Sequence, residues 1–318
     1  MGIKNLNRFL YENCTKKSIR KIHLSELAHK TIVVDTSIYL YKYSSEDMLM
    51  ENMYLLISIL KYYKIVPVFI FDGKPPPEKR ELLQQRRSEK KEAEEKYNEL
   101  KKKVDQEKVD QSELDRLKRL FVRVSDESIK KVKLLMDAYG AVYYDAPGEA
   151  DHLCAYMVKN DIAWGCISDD MDMFLYGCNY VIRNISLLKH TALLYDTNQI
   201  WTDLEMTEQN FREIMVLSGT DYNIHSKTSL KETIRWYYEY MKYKNKTTAE
   251  KQLGFYVWLI KNTKYIADYK ALLTTYMMFN CNNCQELEKW KTVKVENGET
   301  NREKLIEVME PEGFIFIQ

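Results

Sequence analysis

Val66-Pro67-Val68-Phe69-Ile70-Phe71-Asp72 is an apolar run that stops at an aspartate, and Thr31-Ile32-Val33-Val34-Asp35 repeats the pattern. Short runs rich in β-branched and aromatic residues, without alternation, describe strands buried on both faces. A third run, residues 163–167, is followed by Asp169, and a fourth, residues 141–144, ends at Asp145 before a Pro147-Gly148 turn. Helix-period segments at 48–62 and 129–139 separate them. This β-α-β order predicts an α/β fold with a mainly parallel central sheet flanked by helices. Ligands of open α/β sheets bind beyond the carboxyl ends of the strands, so Asp35, Asp72 and the Asp169–Asp172 group are expected to share one crevice. One aspartate after a strand is ordinarily a turn former or helix cap. It is the repetition that points to a site.

The 318 residues, 45% hydrophobic and 30% charged, suffice for a large core and suggest one big domain or a domain with an appendage. Residues 1–14 hold no apolar stretch of signal-peptide length, and the longest apolar run, 65–71, is too short for a bilayer. Met1-Gly2 is not a myristoylation signal, because Leu6 occupies the required Ser/Thr position. Cys14, Cys154, Cys166 and Cys178 are scattered, and the Cys281/Cys284 pair lacks a second pair to complete a zinc site. Reduced thiols in a soluble, intracellular protein with no membrane partner are the expectation. A net charge of +1 leaves phosphate binding to local rather than global charge.

Residues 78–121 contain neither Gly nor Pro and are dominated by Lys, Arg and Glu. Leu100 and Val104, then Leu114, Leu117 and Phe121, form a sparse helical stripe, predicting one or two long exposed helices inserted into the α/β core. Such a segment is most often a solvated hairpin. Here Lys74, Lys79, Arg80, Arg86 and Arg87 crowd its Asp72 end, where cations beside carboxylates could meet a phosphate. Beyond Gly219 a helical region interleaves Trp236, Tyr237, Tyr238, Tyr240 and Tyr243 with Lys242, Lys244 and Lys246. That pattern can mark nucleic-acid contact, though such aromatics are more often core.

Seven acids from five stretches are the candidate ligands: Asp35, Asp72, Glu149, Asp151, Asp170, Asp172 and Asp221. Mg²⁺ takes oxygen donors, few protein carboxylates and several waters, so seven suit two ions with outer-sphere partners. Without metal, clustered carboxylates disfavour one another's ionisation. Acid pairs at helix starts are also common partners of the helix dipole. A DxD after a strand fits aspartate-nucleophile phosphatases as well, but Met173 and Phe174 follow where Thr or Val would be expected.

Met1-Gly2-Ile3, Val33-Val34-Asp35-Thr36-Ser37, Phe71-Asp72-Gly73-Lys74-Pro75-Pro76, Ala146-Pro147-Gly148-Glu149-Ala150-Asp151, Asp170-Met171-Asp172 and Ser218-Gly219-Thr220-Asp221-Tyr222 stand in the order and spacing of the flap endonucleases. From residue 1 to about 222 the chain resembles this XPG/Rad2-type family of structure-specific 5′ nucleases. The resemblance implies a PIN-like nuclease core over 1–222, a helical arch over 78–125, and a mainly helical region over 223–318 that binds duplex DNA. It implies Mg²⁺-dependent hydrolysis of 5′ flaps, gaps, nicks or junctions by two ions, with Mn²⁺ able to substitute, in DNA replication, repair or recombination.

The seven acids match the family's metal-site positions, with Asp151 replacing a Glu and reaching one methylene less far. Lys79 and Arg86 match the basic pair at the scissile phosphate, Tyr41 the residue that stacks on the neighbouring nucleobase, and Gly2 the amino-terminal residue near the active site. Lys74, Arg80, Arg87 and Lys227 are further candidate DNA contacts. Two features depart from the pattern. Tyr222 to Ser229 replace the glycine-rich, potassium-binding hairpin, with no glycine between Gly219 and Gly254, and the ending Phe314-Ile315-Phe316-Ile317-Gln318 shows no sliding-clamp motif. A short, divergent member would look like this. A nuclear location is expected by resemblance, or a cytoplasmic replication site for a viral protein. The alternatives are a 5′ exonuclease or Holliday-junction nuclease of the same superfamily, or a catalytically silent junction-binding protein.

Overall fold

The computed structural model describes residues 3–103, 111–223, 227–248, 251–280 and 285–316; the expectations for Gly2, Val104, Cys281 and Cys284 fall outside them. In chain order the elements are α1 (Leu6–Asn13), β1 (Ile19–His23), β2 (Thr31–Asp35), α2 (Thr36–Ser45), α3 (Leu49–Tyr62), β3 (Val66–Phe71), α4 (Arg80–Lys103), α5 (Gln111–Leu120), α6 (Asp126–Tyr139) and β4 (Val142–Asp145). They continue with α7 (Ala150–Lys159), β5 (Gly165–Ile167), β6 (Tyr180–Ser186), β7 (Thr191–Asp196), α8 (Thr197–Asp203), α9 (Glu208–Leu217), α10 (Leu230–Lys246), α11 (Phe255–Asn262), α12 (Tyr269–Met278) and α13 (Arg302–Met309). The chain divides into two compact units, residues 1–22, 151–185 and 192–291, and residues 23–150, 186–191 and 292–318. No described helix is long and apolar enough to cross a membrane.

In the second unit β2, β3 and β4 lie side by side and parallel, as their uninterrupted apolar runs predict. The register sets Asp35 opposite Ile70 and Phe71 opposite Asp145, so the three strands finish close to one level. Val33, Val34, Val68, Phe69 and Ile70 are fully buried. Helices α2 and α3 pack on β3, α3 on α6, and α6 on α13. Helix α6 is delimited by its sequence: Ser125 Oγ accepts the Ser128 N–H at 3.0 Å, and Gly140 ends it at φ +63°. A Cβ at Gly140 would also stand 2.6 Å from the Glu299 carbonyl oxygen, so glycine is required twice over.

The charged insertion forms two helices packed on each other, α4 and α5. Ala93, Leu114 and Leu117 are its buried stripe, and Tyr97 meets the Phe121 ring edge-on at 5.3 Å. Two polar contacts tie the returning chain to α4: Lys90 donates to the Val122 carbonyl at 2.9 Å and Arg123 to Glu94 at 2.6 Å.

In the first unit the strand order is β1-β7-β6-β5, with β5 and β6 parallel. Strands β6 and β7 are neighbours joined by residues 187–190 alone, a link long enough only for an antiparallel pair. Helix α9 is buried on every side from Phe211 to Leu217, as expected of a helix packed against α10, α11 and α12. The aromatic-rich stretch divides between core and surface, with Trp236 and Tyr243 half-buried. Tyr237 and Tyr240 are buried, and the Tyr240 ring lies 5.3 Å from Phe255 and 5.8 Å from Trp258; Tyr238 is exposed.

Truncation should separate core from surface. Phe69→Ala, in the middle of β3, is expected to cost about 3–5 kcal/mol. Leu134→Ala, on the exposed face of α6, should stay within about 0.5 kcal/mol. Urea unfolding of both variants measures the difference.

Candidate active-site residues

Asp35 closes β2 and is only 3% exposed. It occupies the N-cap position of α2, yet its side chain makes no capping hydrogen bond, so helix capping does not explain it. Asp72 directly follows β3, and its Oδ1 accepts the Ala150 N–H, the first residue of α7, at 2.8 Å. That contact is set up by a close pairing of the flanking chains: Ala146 N–H donates to Phe71 O at 2.9 Å and Gly73 N–H to Gly148 O at 2.7 Å. Gly73 is needed for this approach, since a Cβ there would lie 2.0 Å from the Ala146 carbonyl oxygen.

The same pairing delivers Glu149 to Lys79. The Lys79 ammonium, 8% exposed, bonds Glu149 Oε1. A buried lysine needs such a partner to stay charged. Arg86, seven residues after Lys79 and in the second turn of α4, is half-buried, whereas Lys74, Arg80 and Arg87 are exposed. Tyr41 is 48% exposed on α2, and Lys90 Nζ stands 4.8 Å from its ring centroid, within cation–π range. Burial first, then the like charges of Arg123 and Arg86, holds the Lys90 ammonium below the usual lysine range. Lys90 was not among the sequence candidates, although it lies four residues after Arg86 on the same helical face.

The first unit holds the other four acids. β5 ends at Ile167, and the ladder runs one residue on through Ser168 N–H to Ile182 O at 3.2 Å. The turn that follows is built from its own polar groups. Ser168 Oγ accepts the Asp170 N–H at 3.1 Å, and Asp170 Oδ1 accepts the Asp172 N–H at 3.0 Å. Asp170 and Asp172 are 7% and 2% exposed. Asp151 lies in the first turn of α7 and Asp221 in the turn after α9, both half-buried. Asn223 shapes that last turn: its Oδ1 accepts from the Thr220 N–H and hydroxyl, and its Nδ2 donates to Val216 O at 2.9 Å. Lys227 is exposed.

The structure thus assigns Asp35, Asp72 and Glu149 to one unit and Asp151, Asp170, Asp172 and Asp221 to the other. Among the described residues no three His, Cys, Asp or Glu side chains form a ready metal-binding group. The donors themselves suit a hard divalent cation. All are carboxylate oxygens, and burying a carboxylate as deeply as Asp35, Asp170 or Asp172 is costly unless a cation or hydrogen bonds compensate it.

Residues 1–93 match the XPG N-terminal domain and residues 140–221 the XPG I-region. The first match contains Asp35, Asp72, Lys79 and Arg86, and the second the other five acids. The chain is 26% identical over 284 residues to the "Probable RAD2-like endonuclease 369L" of Invertebrate iridescent virus 6, covering 70% of this chain and 67% of that protein. It is 29% identical over 235 residues to flap endonuclease 1 of Sulfolobus acidocaldarius, covering 64% of this chain and 65% of that one. It therefore spans about two thirds of the length of these relatives. The catalytic core of Rad2 in complex with DNA substrate has the same fold, with a TM-score of 0.68 at 23% identity over 98% of this chain and 96% of that one. With both signature regions present in order and together filling more than half of its length, the chain belongs to the XPG/Rad2-type flap endonuclease family.

Proposed function

We propose that this chain is a structure-specific 5′ nuclease that hydrolyses phosphodiester bonds at 5′ flaps and related DNA junctions. The observation that carries the reading is the buried Lys79, bonded to Glu149 at the foot of a cationic helical hairpin, in a chain that also buries Asp35, Asp170 and Asp172 at or just beyond strand ends. Asp35, Asp72, Glu149, Asp151, Asp170, Asp172 and Asp221 would hold divalent cations, Mg²⁺ by preference and Mn²⁺ in its place. When bound, those ions supply Lewis acidity and positive charge around the transferring phosphate.

The chain's own residues do the rest. Lys79 leaves Glu149 for the phosphate, and Arg86 adds a fork of donors that can engage two oxygens at once. Tyr41 offers a ring on which a base can stack. The α4–α5 hairpin, cationic where it meets the core, admits a single 5′ strand more readily than a duplex, and selectivity follows from shape without reading bases. Asp151, one methylene shorter than the family's Glu, would contribute to cation binding as an outer-sphere partner. The duplex beside the cut is gripped by lysines such as Lys227, since the sequence from Thr220 to Leu253 carries no glycine to supply closely spaced amides.

Asp72→Asn and Asp170→Asn should each abolish cleavage of a 5′-labelled flap while leaving flap-DNA affinity nearly intact. Near-normal turnover of both at saturating Mg²⁺ would remove these acids from the site, and wild-type inactivity across flap, gapped, nicked and four-way substrates would favour a silent junction binder.

Lys79→Ala and Arg86→Ala are expected to slow the single-turnover rate by about a hundredfold each, as loss of one transition-state donor does. An unchanged saturating rate with weaker binding would make them steering residues only.

Flap-DNA affinity should be equal in KCl and NaCl at matched ionic strength and should fall for Lys227→Ala in both, because side-chain ammonium groups do not distinguish the two cations. A marked preference for K⁺ would overturn the lysine grip.

A further inference from the structure

Arg183, on β6, is buried, and nothing in the chemistry above uses it. Its guanidinium spends its donors on neutral partners: Nη2 donates to the Asp169 carbonyl oxygen at 2.8 Å, and Nη1 to Asn7 Oδ1 at 3.1 Å. The group lies 5.5 Å from the Tyr195 ring centroid, and Nε is buried without an acceptor. A buried arginine with an unsatisfied donor and no carboxylate among its bonded partners is a poor stability device, so its placement calls for another explanation.

The explanation lies in the peptide it holds. The Asp169 carbonyl and the Asp170 N–H belong to one rigid plane. Arg183 fixes the oxygen end of that plane, and Ser168 Oγ, accepting from the Asp170 N–H at 3.1 Å, fixes the nitrogen end. The next residue on β6 adds a third hold, for Asn184 N–H donates to Asp169 Oδ1 at 2.7 Å from a left-handed backbone at φ 53°. With the plane locked, the direction in which the Asp170 side chain leaves the backbone is set. Asp172 follows, since its N–H is bonded to Asp170 Oδ1. The far side of the guanidinium is anchored by Asn7 on α1, whose Oδ1 also accepts the Tyr195 hydroxyl at 2.9 Å.

The geometry points to Arg183 as a positioning residue: through the Asp169–Asp170 peptide it orients the Asp170 and Asp172 carboxylates for divalent-cation binding, with Asn7 as its anchor. This rests on the reading of those two acids as metal ligands. Lysine keeps the charge but, having a single compact ammonium, cannot hold the carbonyl and Asn7 oxygens in one fixed fork. Charge compensation and positioning therefore part company at Arg183→Lys.

The test is Mn²⁺ binding to the full-length protein without DNA, followed by electron paramagnetic resonance, for wild type, Arg183→Lys, Asn7→Ala and Asp170→Asn, each with a thermal melt. Loss of an outer partner of a metal ligand costs at least about tenfold in affinity, and that is expected for Arg183→Lys. Asn7→Ala should shift affinity in the same direction by less. A purely structural role would lower the melting temperature and leave Mn²⁺ affinity untouched in the folded protein, and wild-type affinity in both variants overturns the proposal. Should Arg183→Lys fail to fold, Asn7→Ala decides by the same criterion. If Asp170→Asn binds Mn²⁺ as tightly as wild type, the metal-ligand reading falls and takes the positioning role with it. That result is distinct, because it appears in the ligand variant.

Discussion

Burial of negative charge is the constraint around which this chain is arranged. Asp35, Asp170 and Asp172 are withdrawn almost wholly from water, at strand ends where main-chain groups leave them little freedom. A carboxylate there is stabilised only by cations or by hydrogen bonds to its charged form. Asp170 receives an amide of Asp172, and the less buried acids are also partnered: the exposed Asp72 by an amide of Ala150 and the half-buried Glu149 by the ammonium of Lys79. Whatever binds the native acids and not the unfolded chain adds stability in proportion to its occupancy. A site built this way is linked to the folding equilibrium of its own scaffold.

Lys79 illustrates how one residue can serve two demands. In the protein alone it is a buried counter-charge to Glu149, and a buried ion pair of this kind contributes little net stability while being expensive to break by halves. Its ammonium is kept desolvated beside Glu149, where charge interactions are stronger than in water. The hairpin above it follows the same logic on a larger scale. Its interior is thin, with Ala93, Leu114 and Leu117 as the buried stripe, and much of its surface is charge. Lys90 is tethered at the hairpin's return, to Val122 O, with its ammonium near the ring of Tyr41, so the exposed ring is covered by a charge that can be displaced.

The strands that could be read from sequence are those with short uninterrupted apolar runs, β2, β3, β4 and β5, although β4 is only partly buried. Strand β7, Ala192 to Tyr195 before Asp196, has the same pattern and was not singled out. Strands β1 and β6 escaped because their sequences carry polar residues where a continuous run was sought: Arg20 and Lys21 are exposed in β1, and β6 contains Arg183 and Asn184. For the same reason the Asn7–Arg183–Asp169 arrangement was invisible, since it joins residues more than 160 positions apart through a strand not recognised as one. The acids and the Lys79/Arg86 pair were named as candidates through the motifs that carry the family resemblance. The Lys79–Glu149 bond, across 70 residues, was not. The aromatics of α10 carried too little pattern to separate core from surface, and packing against Phe255 and Trp258 resolves Tyr240 as core.

The departure from the family in the segment after Asp221 has a physical rationale in what each half of such an enzyme must achieve. Phosphoryl chemistry tolerates little displacement of a ligand or donor, because misplacement by even an ångström forfeits much of the rate. Gripping a duplex backbone needs only cations at roughly the right spacing, since that contact is sequence-independent and dominated by counterion release. A glycine-free sequence from Thr220 to Leu253 that carries lysines such as Lys227 would suit the second requirement. The acids of the core allow far less exchange. Even Asp151, where the family has a Glu one methylene longer, keeps the negative charge and gives up only reach.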